Sequence, residues 1–145
     1  MPGSSQQKIL NYNAKDLYKL VLDIEKYPDF LPWCMDSRII SDNKSKIIAD
    51  LVIQYKYFNG TFRSFVNYNN KDLTISIKYT EGPLKTLYTN WAFIKLKKYQ
   101  TLIKFDVELR FKFIPFNKLL DRFYESIEDK IIINFEKRAA KILKK

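Results

Sequence analysis

The chain has 145 residues and a net charge of +10, with 46% hydrophobic and 16% aromatic residues, one cysteine, three glycines and no histidine. That apolar content excludes a disordered chain, and the length suits a single domain with a sizeable core. Without histidine there is no Ser-His-Asp or Cys-His arrangement and no imidazole zinc site, and three dispersed glycines leave no phosphate-cradling loop.

The lone Cys34 forms no internal disulfide, which fits a reducing compartment. No run reaches the length of a membrane span and no signal peptide opens the sequence. Lysine supplies most of the charge, scattered rather than in one block. A solvated lysine surface, an anionic membrane and nucleic acid all fit that balance.

In chain order, residues 1–7 read as a disordered start or cloning remnant and 8–145 as one domain. Residues 8–13 (KILNYN) predict a short strand, and Asn13 can cap the segment that follows. From Ala14 to Tyr27, Leu17, Leu20, Val21 and Ile24 recur three and four apart, predicting an amphipathic helix. Pro28 is expected to stop it, and Asp29–Trp33 to form a turn or helical fragment.

After Cys34 the pattern alternates. Residues 47–57 carry Ala49, Leu51, Ile53, Tyr55 and Tyr57 on one face, and Asn59-Gly60 predicts a hairpin turn. Residues 62–68 lead to a turn near Asn69-Asn70, followed by strands over 73–79 (Leu73, Ile75, Ile77, Tyr79) and 87–96 (Leu87, Trp91, Phe93). In 102–113, Ile103, Phe105, Val107, Leu109, Phe111 and Phe113 alternate with Lys104, Asp106, Glu108, Arg110 and Lys112, giving one dry face and one wet face. Beyond Pro115, the positions Phe116, Leu119, Leu120, Phe123, Ile127, Ile131, Phe135, Ala139 and Ile142 trace one helical stripe. The order is therefore β–α–short helical pieces–six strands–long α, an α+β arrangement in which a curved antiparallel sheet of about seven strands stacks on the long helix.

The segment Tyr27-Pro28-Asp29-Phe30-Leu31-Pro32-Trp33-Cys34 raises the question of function. With Glu81-Gly82-Pro83-Leu84, Trp91-Ala92-Phe93 and Phe135-Glu136-Lys137-Arg138-Ala139, in that order, the chain resembles the coenzyme Q-binding/RatA branch of the START-like, helix-grip superfamily from about Lys8 to Leu143. One departure is Leu84, where the pattern usually has phenylalanine. The resemblance implies the helix-grip fold. It also implies a role: first a carrier that holds ubiquinone or a related polyprenyl lipid and supports respiration or quinone biosynthesis, with a ribosome-association toxin as the alternative. The inherited label of polyketide cyclase/dehydrase adds a third.

Catalysis by proton transfer needs positioned acids and bases, and Asp106 and Glu108 fall on the outward face of their strand. Cys34 lacks a histidine partner, so a non-enzymatic binding role without cofactor or metal is the expectation. Apolar walls with few polar groups suffice for a lipid. Candidate walls are Leu51, Ile53, Ile75, Ile77, Trp91, Phe93, Phe105, Val107, Phe111, Phe123 and Ile127; Phe30, Leu31 and Trp33 facing Leu84 and Leu87 are the candidate mouth. Lys85 and the overall charge would meet an anionic membrane. In the ribosome reading, Lys95, Lys97, Lys98 and Tyr99, with Lys141, Lys144 and Lys145, form the basic contact to RNA. Either role places the chain in a bacterial cytoplasm or at the inner face of its membrane, with no DNA partner.

Overall fold

The computed structural model describes the backbone of residues 3–55, 58–81, 84–112 and 114–143, and the side chains of these except at 3, 4, 55, 58, 80, 81, 84–86, 109, 111, 114, 116, 117 and 119–127. Seven antiparallel strands form one sheet in the order β1-β7-β6-β5-β4-β3-β2. The strands are β1 (Gly3–Leu10), β2 (Cys34–Asp42), β3 (Lys46–Tyr55), β4 (Phe58–Asn69), β5 (Thr74–Glu81), β6 (Leu84–Lys97) and β7 (Gln100–Phe111). Helix α1 (Ala14–Leu22) lies between β1 and β2 in sequence, and α2 (Ile114–Ile142) follows β7. Both helices contact the strands at the β1-β7-β6-β5 end of the sheet. Residues 3–7 were expected to be disordered but pair with β7, Gly3 opposite Glu108 and Gln7 opposite Lys104. A polar strand suits an edge that has a neighbour on one side only.

Asn13 starts α1 as expected: its Oδ1 accepts from the backbone N–H of Lys15 at 3.0 Å and Asp16 at 3.3 Å. Its Nδ2 also donates to the carbonyl of Lys98 at 3.0 Å, tying α1 to the β6–β7 turn. Asn13→Ala is expected to cost about 1–2 kcal/mol in urea unfolding, and Asn13→Asp, which keeps the acceptor, to recover most of the loss. Recovery in neither stability nor melting temperature would assign the effect to the tether instead.

The first helix ends at Leu22, before Pro28, because Asp23 leaves the helical region at ψ 70°. A 3-10 helix then runs from Ile24 to Asp29 with Pro28 inside it. Three residues per turn eclipse positions three apart, so Ile24 and Tyr27 are both buried and Phe30 packs on the same core. The Tyr27 hydroxyl donates to the Val21 carbonyl, joining this turn to α1.

Asn59-Gly60 is not a turn. Gly60 pairs with Ile53 and Asn59 with Gln54, so both lie within β4. Residues 56–57 of the expected strand, and Phe113 of the last one, lie outside the described residues. Between β4 and β5, Leu73 adopts φ 55°, a left-handed conformation that disfavours a residue with a Cβ. Its side chain packs on the core and its carbonyl accepts from Phe93 N–H at 3.1 Å, which offsets the strain.

Pro115 sits in the first turn of α2 rather than before it, where its missing N–H is not needed. The described half of the helix buries Glu128, Ile132, Phe135 and Ala139, a line stepping four, three and four. Phe135 and Ala139 of the expected stripe are buried, whereas Ile131 is only half-buried, with Ile132 taking the inward position, and Ile142 is 51% exposed. Two polar bridges hold α2 to β1. Gln6 Nε2 donates to Asp129 Oδ1 at 2.7 Å, and Lys8 Nζ meets Glu136 Oε1 at 2.6 Å.

Candidate functional site

The C-terminal half of α2 and the sheet enclose an aromatic box around Trp91. Its ring stacks on Phe93 at 5.9 Å, lies 4.3 Å from Phe105 and meets Phe135 edge-on at 5.2 Å. The void beside it, lined by Leu17, Val21, Trp91, Phe93, Ile132 and Phe135, measures about 10 Å³, room for one water at most. This end of the grip is closed.

The YPDFLPWC segment plugs the same end. Tyr27, Leu31 and Cys34 are buried. The Phe30 ring contacts Tyr27 at 5.9 Å and Phe135 at 5.2 Å, with the Arg138 guanidinium over it at 5.2 Å. Phe30 and Leu31, expected at an open mouth, thus pack inward, and Trp33 is half-buried with its carbonyl accepting from Gln54 N–H at 2.8 Å. Their apolar surface faces α2 because the eclipsed 3-10 turn points Phe30 the same way as Ile24 and Tyr27.

The other expected wall residues fall into three groups. Ile75, Trp91, Phe93, Phe105 and Val107 meet in the main core, with Leu51, Ile53 and Ile77 half-buried against it. Leu87 packs instead on a second cluster of Phe62 and Tyr79, which Ile53 joins to the first. The side chains of Leu84, Phe111, Phe123 and Ile127 lie outside the described residues.

Several interior polar groups escaped the sequence reading, among them Ser64, Thr101, Glu128 and Thr89. Glu128 is 1% exposed on the inward line of α2. The four-three-four spacing 128-132-135-139 was the signal that could have placed it. Thr89 Oγ1, on the inner face between Ile77 and Val107, is buried with no hydrogen-bond partner among the described residues.

Burial pushes the Cys34 thiol up to about 11, and its Sγ donates to the Asp36 carbonyl at 3.5 Å. It is a neutral packing group at physiological pH. A thiol reagent at pH 7.5 is expected to label it only after unfolding. Because the folded thiol holds its proton more tightly than the unfolded one, stability should fall as pH rises from about 9 to about 11. Labelling of the folded chain at the rate of a free thiol would contradict this placement.

Outside, the β6–β7 turn forms a basic knob. Lys95, Lys97, Lys98 and Tyr99 are all exposed, and Lys98 Nζ lies 5.5 Å from the Tyr99 ring centre. The Asn13–Lys98 bond brings the N-terminus of α1 beside it, adding the exposed Lys15 and Lys19, with Asp16 between them. Lys141 is exposed on the last turn of α2; Lys144 and Lys145 lie outside the described residues. Asp106 is exposed and Glu108 half-exposed, pointing away from the interior as expected. Among the described residues no helix is long and apolar enough to cross a membrane.

A curved antiparallel sheet gripping a long C-terminal helix defines a START-like, helix-grip protein. Residues 10–136 match the model of the family described as polyketide cyclase / dehydrase and lipid transport, and the chain belongs to that family. It is similar to the ribosome association toxin RatA of Rickettsia prowazekii, 37% identical over 140 residues, which cover 94% of this chain and 95% of that protein. Similarity to the coenzyme Q-binding protein COQ10 homolog B, mitochondrial, of Xenopus laevis is lower, 23% over 141 residues, 95% of this chain and 58% of that protein. Among solved structures, the Zhui aromatase/cyclase from Streptomyces shares the fold with a TM-score of 0.85 at 11% identity, over 95% of this chain and 93% of that one. A START superfamily protein from Mycobacterium smegmatis does so with a TM-score of 0.83 at 17% identity, over 97% and 98%.

Proposed function

We propose that this chain is a non-enzymatic binding protein of the bacterial cytoplasm that docks on ribosomal subunits through its basic end. The observation that carries this reading is the tethered knob: Lys95, Lys97, Lys98 and Tyr99 held against the α1 terminus by Asn13. Lysines neutralise phosphates and an exposed aromatic offers a stacking surface, the combination RNA binding uses. The name of the Rickettsia relative supports the same partner. The buried, proton-holding Cys34 and the outward Asp106 speak against catalysis. Co-sedimentation with purified ribosomal subunits tests the proposal, since a chain with no affinity for them stays in the supernatant.

A lipid carrier is the second reading, favoured by Glu128 and Thr89. Polar groups inside an otherwise apolar interior are what orient a quinone or similar amphipathic ligand in a pocket. Thr89 lies two residues from Trp91 on the same face of β6, and Glu128 one helical turn before Ile132, which lines the void beside that ring. Mass spectrometry of lipid extracted from the purified protein tests it; no bound cofactor or metal enters either reading.

A further inference from the structure

The face of the sheet opposite the core carries an ordered set of side chains that neither reading uses. Register places Phe65 of β4 beside Lys78 of β5, and Lys78 beside Tyr88 of β6, so the three form one row across the central strands. Strand alternation turns them outward. Ser64, Val66 and Tyr79 are buried, while Phe65 is 42% and Tyr88 39% exposed. The adjoining row holds Asn67, Ser76 and Asn90. The Ser76 hydroxyl donates to the Tyr88 oxygen at 3.3 Å, which fixes the phenol on the sheet.

Two exposed rings on rigid central strands contribute little to folding from that side. They lie two strand spacings apart, about 9.6 Å, far enough for each to offer a face to a separate base with Lys78 between them. The charge around them is mostly positive or neutralised. Lys46 neighbours Asn67, and the Asp50 carboxylate is held by the Arg63 guanidinium at 2.9 Å. Two carboxylates on β7, the exposed Asp106 beside Asn90 and Glu108 beside Tyr88, close the surface to an anion on that side and confine it to β4–β6.

We propose that this row is a stacking platform for single-stranded RNA. Phe65 and Tyr88 each stack a base, and Lys78 contacts a phosphate. Stacking on aromatic faces tolerates any base, so the surface selects for unpaired strands and not for sequence. A duplex hides its base faces and cannot use it. The biological source of the strand rests on the ribosome reading; the chemistry of the platform does not.

The test is fluorescence anisotropy of the full chain with a labelled 12-nucleotide single-stranded RNA of mixed sequence and with the same strand in duplex. Phe65→Ala and Tyr88→Ala are expected to weaken single-strand binding by roughly 5- to 100-fold each, leaving the duplex unaffected. Phe65→Trp should retain binding, and Lys78→Ala should lower the slope of log K against log salt by about 0.7. Thermal melts confirm that each variant is folded. Wild-type protein that ignores the single strand, or alanine variants within twofold of it, would overturn the platform. So would Phe65-dependent binding to vesicles containing anionic lipid with none to RNA. If the alanine variants still pellet with ribosomal subunits and bind the single strand as wild type does, the platform fails and the ribosome reading stands. If subunits are ignored but single-strand binding depends on Phe65 and Tyr88, the reverse holds.

Discussion

Trp91→Ala is expected to destabilise the protein by about 3–5 kcal/mol, the range for removing a large buried aromatic. The indole contacts Phe93, Phe105 and Phe135, which come from β6, β7 and α2, so its loss opens a hole where the sheet meets the helix. Each of those aromatic pairs adds about 0.5–1.5 kcal/mol beyond the area it buries. The melting temperature should fall by roughly 10–20 °C for a domain of this size. Urea unfolding with an unchanged slope and a lowered midpoint would confirm the packing role. A Trp91→Ala protein that melts with the wild type yet loses a bound ligand would show that the ring serves a ligand and not the core.

That residue also shows how far the sequence could be read. Trp91, Phe93 and Phe105 were legible as inward-facing because their strands alternate, with Thr89 the one polar break in the inward register of β6 from Leu87 to Phe93, and all three are buried. Alternation does not reveal what an inward ring touches, however. Whether Trp91 stacks on a quinone or on Phe105 depends on the depth at which α2 sits. The α2 line was harder. Ile131, Ile132 and Ile133 are consecutive, so hydrophobicity alone could not choose which one faces the sheet; the buried one is Ile132. The 3-10 helix was hidden because Ile24 fits a four-residue step from Leu20 as well as a three-residue step to Tyr27. Asn59-Gly60 carried the right residues for a hairpin, but β4 starts earlier and passes through both. The basic knob was visible as lysines near one turn; the Asn13 bond that ties it to α1 links residues 85 apart in sequence and no local pattern signals it.

Reversing the charge of the knob should produce the second large effect. Lys97→Glu with Lys98→Glu removes two cations and adds two anions on a turn, where side chains make few contacts, so stability should change by less than about 0.5 kcal/mol per substitution. Binding to an RNA surface should fall far more, on the order of 100-fold or greater at physiological salt, because phosphate contacts carry most of such affinity. Raising the salt should weaken the wild type steeply, since exposed charges act through a screened field. The decisive measurement is sedimentation of wild type and this double variant with purified ribosomal subunits and, separately, with quinone-loaded anionic liposomes, each at two salt concentrations. The account predicts that wild-type protein pellets with subunits at low salt, is released at high salt, and stays in the supernatant when the two lysines are reversed. Wild-type protein that ignores subunits and pellets with the liposomes, or a double variant that pellets with subunits as the wild type does, would contradict it.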